Sequence, residues 1–193
     1  MMSNIMNLIN TMDEIKDLAY GLPTSDMRNS FRKMINSTIK NLLNDYCRES
    51  EHFEAVLVRE GTCGEARGAY FVAGNFVMLR PELLDFISNY KSTSLDEETE
   101  AFDIPMIETA ITTYLHECRH AKQHAENLDV LKGEYKSGLS CEETEEFVDL
   151  YYNHPKEVDA RDHADMYCED AAAFIEEHLY ERLIPQLQSL MGM

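Results

Sequence analysis

His116 and His120 stand four residues apart, with Glu117 directly after the first, at the end of a segment whose apolar residues recur at helical spacing: Ile107, Ala110, Ile111, Tyr114 and Leu115. On an α-helix, residues four apart differ by about 40° in direction and about 6 Å in height. Both imidazoles therefore face the same way, and Glu117 lies one residue round from His116. Whatever fold the chain adopts must keep this stretch helical and near the core, because its apolar stripe runs into the histidines. Neutral imidazole suits Zn²⁺, and an adjacent carboxylate can take a proton from a water at the ion. His116 and His120 are accordingly read as metal ligands and Glu117 as general base.

A catalytic zinc takes three protein ligands and leaves one position for water. His124 continues the even spacing, but it lies about 12 Å along the axis from His116 and about 80° around it. That is too far for one ion at about 2.1 Å from each nitrogen. The last helical segment is the better source. It opens Asn153-His154-Pro155, carries Glu157 in its first turn, and sets Ala160 and Ala164 beside it. Small residues there allow close approach to the metal helix. Glu157 is the expected third ligand, with Asp159, His154 and His163 as rivals; a first-turn glutamate also suits the helix dipole. Arg161, four residues on, can pair with Glu157 and orient it. Tyr151, Tyr152, His154, Arg161 and His163 are candidate donors to the oxyanion of an acyl-transfer reaction.

Elsewhere the chain reads as helices around a small sheet. A first helix carries Ile5, Leu8, Ile9, Met12, Ile15 and Leu18, and Gly21-Leu22-Pro23 closes it. A second, starting near Thr24 or Ser25, carries Met27, Phe31, Met34, Ile35, Ile39, Leu42, Leu43 and Tyr46. Neither shows chemistry beyond packing. Strands are expected over 54–58, 68–73 and 76–79, the last two joined by a turn at Gly74-Asn75. Arg80-Pro81-Glu82 opens a short helix through Leu83, Leu84, Phe86 and Ile87, and 91–100 reads as a loop. Asp103 can cap the metal helix. Residues 128–139 form a connection, and Ser140-Cys141-Glu142-Glu143 fits a capping box for a helix bearing Phe147, Val148, Leu150 and Tyr151. The closing helical region runs from about Pro155 to Leu190 with an expected interruption near Pro185. The economical reading is one α+β domain over 1–193: a helical pair at 1–48, a metal-binding core at 53–170 and a C-terminal helix at 171–193.

A chain of 193 residues can bury roughly 70% of its unfolded surface and needs no disulfide staples. Its 36 acidic against 17 basic residues give a formal charge of −19, which repels phosphate backbones and anionic lipid. Nucleic acid and membrane are therefore not expected partners. No apolar run approaches the roughly 20 residues of a membrane span, and the first twenty residues lack the pattern of a secretory signal. Five cysteines (Cys47, Cys63, Cys118, Cys141, Cys168) without a CxxC pair fit reduced thiols in the cytoplasm.

The pentad His116-Glu117-Cys118-Arg119-His120, followed 37 residues later by Glu157 in a Glu-x-x-Ala setting, resembles the zincin metallopeptidases. The glutamate looks like the third ligand of the gluzincin branch. With the strand-then-helix entry Phe76-Val77-Met78-Leu79-Arg80-Pro81-Glu82-Leu83-Leu84, the region 53–167 is similar to minimal zincins of the ImmA/IrrE type. The resemblance implies a mostly helical α+β domain with a small twisted sheet, Zn²⁺ as cofactor, and a peptide or protein substrate. It also implies an edge strand that binds that substrate beside the metal, here residues 76–80 or its hairpin partner. The expected chemistry is peptide hydrolysis by a zinc-activated water, with Glu117 moving its proton. The competing expectation is a non-catalytic binding module on the same scaffold, in which zinc is structural or absent. Hydrolysis of a non-peptide amide is a third.

Overall fold

A computed structural model describes residues 3–51, 57–61, 66–91, 93–94, 104–126 and 151–191. Helix α1 (Asn4–Gly21) starts where the Ser3 side chain accepts from the Met6 N–H, and α2 (Ser25–Glu51) where Thr24 does the same for Met27. The buried face of α1 is Ile5, Leu8, Ile9, Thr11, Met12, Ile15 and Ala19. Leu18, expected on that face, is half exposed. The stripe continues four residues past Ile15 to Ala19, and Leu18 points about 100° away from it. On α2 the expected stripe is met, with Phe31, Ile35, Ile39, Leu42, Leu43 and Tyr46 buried and Met27 and Met34 packed at its margin.

Strands β1 (Leu57–Glu60), β2 (Gly68–Phe71) and β3 (Phe76–Leu79) form a mixed sheet of order β1-β3-β2. The hairpin between β2 and β3 is antiparallel and is closed by the 3₁₀ turn Val72–Gly74 and Asn75, whose φ of 45° is left-handed. Tyr70 Oη donates to Asn75 Oδ1 at 3.0 Å, and Phe71 stacks on Phe76 with ring centroids 5.0 Å apart. Strand β1 joins the other side of β3 in parallel, Leu57 opposite Phe76. The strand expected at 54–58 is thus seen from Leu57; 54–56 lie outside the described residues. Because β3 is flanked on both sides, residues 76–80 are not an edge. That corrects one of the two expected substrate strands and leaves β2 on the outside among the described strands.

Val77 and Leu79 turn their side chains into the core. The short helix expected after them is two: α3 (Pro81–Leu84) and α4 (Phe86–Asn89), parted at Asp85. Asp85 leaves helical geometry (ψ 67°), its carboxylate takes both Arg32 guanidinium contacts, and its carbonyl accepts from Ser88 and Asn89. A two-residue ladder, β4 (Thr93–Ser94) with β5 (Ile104–Pro105), crosses the segment read as loop. Helix α5 (Met106–Ala125) therefore begins after Pro105, while the expected cap Asp103 lies outside the described residues, as do the connection at 128–139 and the capping box at 140–143.

The closing helix α6 (Pro155–Met191) passes through Pro185 without interruption. Glu181 and Pro185 are both exposed, so the carbonyl that loses its helical partner faces water, and Gln186 Nε2 bonds the Arg182 carbonyl alongside. Helix α6 lies against α1, α2 and α5 along its length. Its buried positions Ala160, Ala164, Ala171 and Ala172 admit close approach, and Cys168, Ile175, Leu179 and Leu183 complete one hydrophobic cluster shared with α1, α2, β3 and α5. The chain is α+β, mostly helical with a small mixed sheet. No described helix is long and apolar enough to cross a membrane.

Candidate metal centre

Helix α5 and the first turn of α6 meet along the C-terminal half of α5, where its buried face continues through Cys118, Ala121 and Gln123. His116 and His120 project from one face of α5, each largely enclosed, with Nε2 atoms 3.0 Å apart and rings edge to face. Glu157, 1% exposed, enters from α6 and closes the triangle: Oε2 is 3.2 Å from His116 Nε2, and Oε1 is 3.3 Å from His120 Nε2. All three donor groups lie within 4.8 Å of one another.

Glu157 arrives there because of how α6 starts. His154 is the capping residue: its Nδ1 accepts the Lys156 N–H at 3.2 Å and its carbonyl accepts from Glu157 and Val158. Pro155 follows at the position where a missing N–H costs nothing. Ala160, fully buried one turn on, lets α6 sit close to α5. His154 is therefore occupied with helix initiation and does not join the ligand group.

The donor set fits a zinc ion. Donors around a tetrahedral ion at about 2.0–2.1 Å lie roughly 3.3 Å from one another, close to the spacings here. Protonation points the same way. His120 Nδ1 lies 2.9 Å from Gln123 Oε1, and the Gln123 amide is oriented by giving its Nε2 hydrogens to the Lys156 carbonyl (3.0 Å) and Asp159 Oδ2 (2.7 Å). Both of those partners only accept, so Oε1 faces His120 and Nδ1 carries the proton. With Nδ1 so engaged, Nε2 is the nitrogen left facing the buried carboxylate at 3.3 Å, and the pair calls for a cation between them: a proton on the metal-free ring, or a metal ion in its place.

Charge in the site is strongly perturbed. Burial opposes ionisation of Glu157, but the imidazoles of His116 and His120 beside it outweigh that and hold the carboxyl well below the usual range. For His120, burial disfavours the charged ring, yet Glu157 raises its pKa above the ordinary value. Glu117 is 8% exposed and is shifted upward, chiefly by burial and also by Glu157, against the two imidazoles and a hydrogen bond from the Tyr70 backbone. A carboxylate lifted in this way is better matched to accepting a proton near neutral pH.

Strand β2 runs beside this group. Arg67 gives its carbonyl to the Arg80 N–H across the hairpin at 3.1 Å, so the two-residue alternation turns the polar groups of Gly68 and Tyr70 outward. A Cβ at Gly68 would stand 2.7 Å from Thr113 Cγ2, 2.8 Å from Leu79 Cδ2 and 3.2 Å from Glu117 Cγ. Only glycine allows the outer strand this close to α5.

The remaining sequence candidates are drawn elsewhere. Asp159 takes Arg119 through two hydrogen bonds, 2.7 and 3.0 Å, besides that from Gln123. Arg161 does not turn to Glu157; it donates to the Tyr152 carbonyl and sits 5.4 Å over the Tyr152 ring. Tyr151 packs on Tyr152, and His163 on Tyr167 at 4.8 Å. His124 is exposed, its ring 6.2 Å from Tyr70. Among the described residues, the ligand group holds three members. Sequence reasoning missed Gln123 and the Tyr70 N–H. The first has a signal in hindsight, an amide three residues after a ligand histidine on the same helix face; the second is a backbone group and has none.

No protein-family model matches this chain, and no curated protein or solved structure is found to be similar to it.

Proposed function

We propose that the protein is a zinc-dependent metallopeptidase of zincin type, with His116, His120 and Glu157 as ligands and Glu117 as general base. The observation that carries the reading is the convergence of two imidazoles and one buried carboxylate within 4.8 Å, with a second buried carboxylate, Glu117, on the same helix. Zinc held there would polarise a carbonyl and bring the pKa of water bound to it from about 15.7 toward about 7. The chain's own residues do the rest. The Glu117 carboxylate receives the proton of the attacking water and returns it to the leaving nitrogen. The first turn of α6 and the close approach of β2 shield the group from bulk water. The outward groups of Gly68 and the Tyr70 carbonyl lie where an extended peptide would add to the sheet, the Tyr70 N–H being taken by Glu117.

The competing reading, a binding module with a structural zinc, needs four protein ligands. The described residues supply three, together with a buried carboxylate that a structural site does not use. The proposal includes a reducing, cytoplasmic setting, supported by free thiols at Cys47, Cys118 and Cys168.

The test pairs metal analysis of the purified protein with a proteome-derived peptide cleavage screen. Wild type should carry one zinc per chain and cleave; Glu117→Gln should keep the zinc and lose cleavage; His116→Ala should lose both. A Glu117→Gln protein that cleaves as well as wild type, free of contaminating protease, would sink the mechanism.

A further inference from the structure

We infer that Gln123 is the positioning residue of this centre: it fixes the proton of His120 on Nδ1 and ties the turn bearing Glu157 to the helix bearing both histidines. The inference rests on the metal reading above and extends it to residues that touch neither substrate nor ion.

Gln123 is 5% exposed and reaches three partners with one amide. Oε1 faces His120 Nδ1 at 2.9 Å, and Nε2 bonds the Lys156 carbonyl at 3.0 Å and Asp159 Oδ2 at 2.7 Å. Lys156 and Asp159 bracket Glu157 in the chain, one residue before it and two after. A single side chain on α5 therefore sets the tautomer of one ligand and the placement of the turn that delivers another. Asp159 is itself locked by the bidentate Arg119 pair, and Arg119 stands next to His120 on α5. The path Arg119–Asp159–Gln123–His120 leaves α5, touches α6 and returns to α5.

Each element of the path has a directional consequence. The Gln123 amide cannot flip, because flipping would aim its NH₂ at a His120 Nδ1–H and its oxygen at a carboxylate and a carbonyl. With the amide fixed, His120 cannot carry its proton on Nε2 without losing the Gln123 bond. On the neutral ring Nε2 is thereby kept unprotonated, as the metal-binding nitrogen on the side of Glu157 and His116. Partners of this kind, bonded to the far nitrogen of a ligand histidine, are worth roughly 10–100-fold in metal affinity.

Gln123→Met keeps buried length without an acceptor. It should bind zinc about 10–100-fold more weakly by chelator competition. In metal-free protein at alkaline pH, nitrogen-resolved NMR should show His120 as the Nδ1–H tautomer in wild type and a mixture in Gln123→Met. Gln123→Glu keeps an acceptor toward His120 but sets a carboxylate against Asp159. It should bind weakly too, and adding Asp159→Asn should recover part of the affinity, a rescue that a merely space-filling role would not give. Wild-type zinc affinity in Gln123→Met with an unaltered His120 tautomer overturns the inference, as does absence of rescue in the double variant. Should Gln123→Met fail to fold by circular dichroism, the Gln123→Glu and Asp159→Asn pair decides. Should wild type take up no zinc, the metal reading fails, and the tautomer in metal-free protein still decides the role of Gln123.

Discussion

The backbone of Tyr70 hydrogen-bonds to the carboxylate of Glu117, joining the outer strand of the sheet to the proposed base through a group that no side-chain substitution at position 70 removes. Proline does remove it. At an outward-facing strand position proline leaves the β2–β3 ladder intact, since the lost N–H points away from β3. Tyr70→Pro should therefore lower hydrolysis about 10–100-fold, the equivalent of about 1.5–3 kcal/mol for a hydrogen bond to a charged group, while zinc content stays at wild type. Tyr70→Ala, which keeps the N–H, should retain more activity than Tyr70→Pro. Equal losses in the two variants would assign the effect to the ring.

Zinc should stabilise the folded chain in proportion to its binding. At a free concentration 100 times the dissociation constant the gain is about 2.7 kcal/mol, which for a chain of this size raises Tm by roughly 5–10 °C. Glu157→Gln removes the only charge among the three ligands and should abolish most of that rise. The check is a thermal melt with and without zinc, after chelation, in both proteins. A wild-type melt indifferent to zinc counts against the ligand set.

Gly68 is held to glycine by its neighbours, not by its own backbone. Gly68→Ala should destabilise by about 1–3 kcal/mol, as for other overpacked sites, and should reduce hydrolysis because Glu117 Cγ is among the atoms pressed. Thr113→Ser takes away the Cγ2 methyl that lies nearest. The double variant should recover part of the stability, measured as a double-mutant cycle by denaturant unfolding. Strict additivity would mean that the strand moves instead.

Burial, with Glu108, Glu169 and Asp165 nearby, pushes the Cys168 thiol up to about 12. At pH 8 about one molecule in ten thousand then carries the thiolate, the form that reacts. Iodoacetamide should label Cys168 at least about a hundredfold more slowly in native protein than in denaturant, read by site-resolved mass spectrometry. Fast native labelling would show that α6 opens around Ala164 to Ala172.

What could be read from the residues divides along the range of the interactions. The pentad at 116–120 announces itself because helical geometry converts spacing into direction, and Glu157 follows from a proline start and two alanines, both local signals. The order of the strands is not local. Residues 76–79 look the same whether flanked on one side or two, so the central place of β3 appears only once β1 folds onto it. Leu18 failed for a finer reason: a leucine three residues past Ile15 and an alanine four past it compete for one face, and α1 buries the alanine. Arg161 met the spacing for a pair with Glu157, but helical spacing cannot reveal that Tyr152 stands nearer to hand. Pro185 reads as a break only if its face is buried, and that face is exposed.

Helix α6 is 37 residues of unbroken rod, about 55 Å, with the acidic donor at one extremity and most of its packing beyond. One residue gained or lost between Glu157 and the alanines at 171 and 172 would swing the carboxylate about 100° and slide it about 1.5 Å, with the downstream contacts unable to follow. Lineages carrying this centre should accordingly vary by replacement at the exposed positions of α6 while conserving its length from position 157 to position 172, as the teeth of a key may be recut but not respaced.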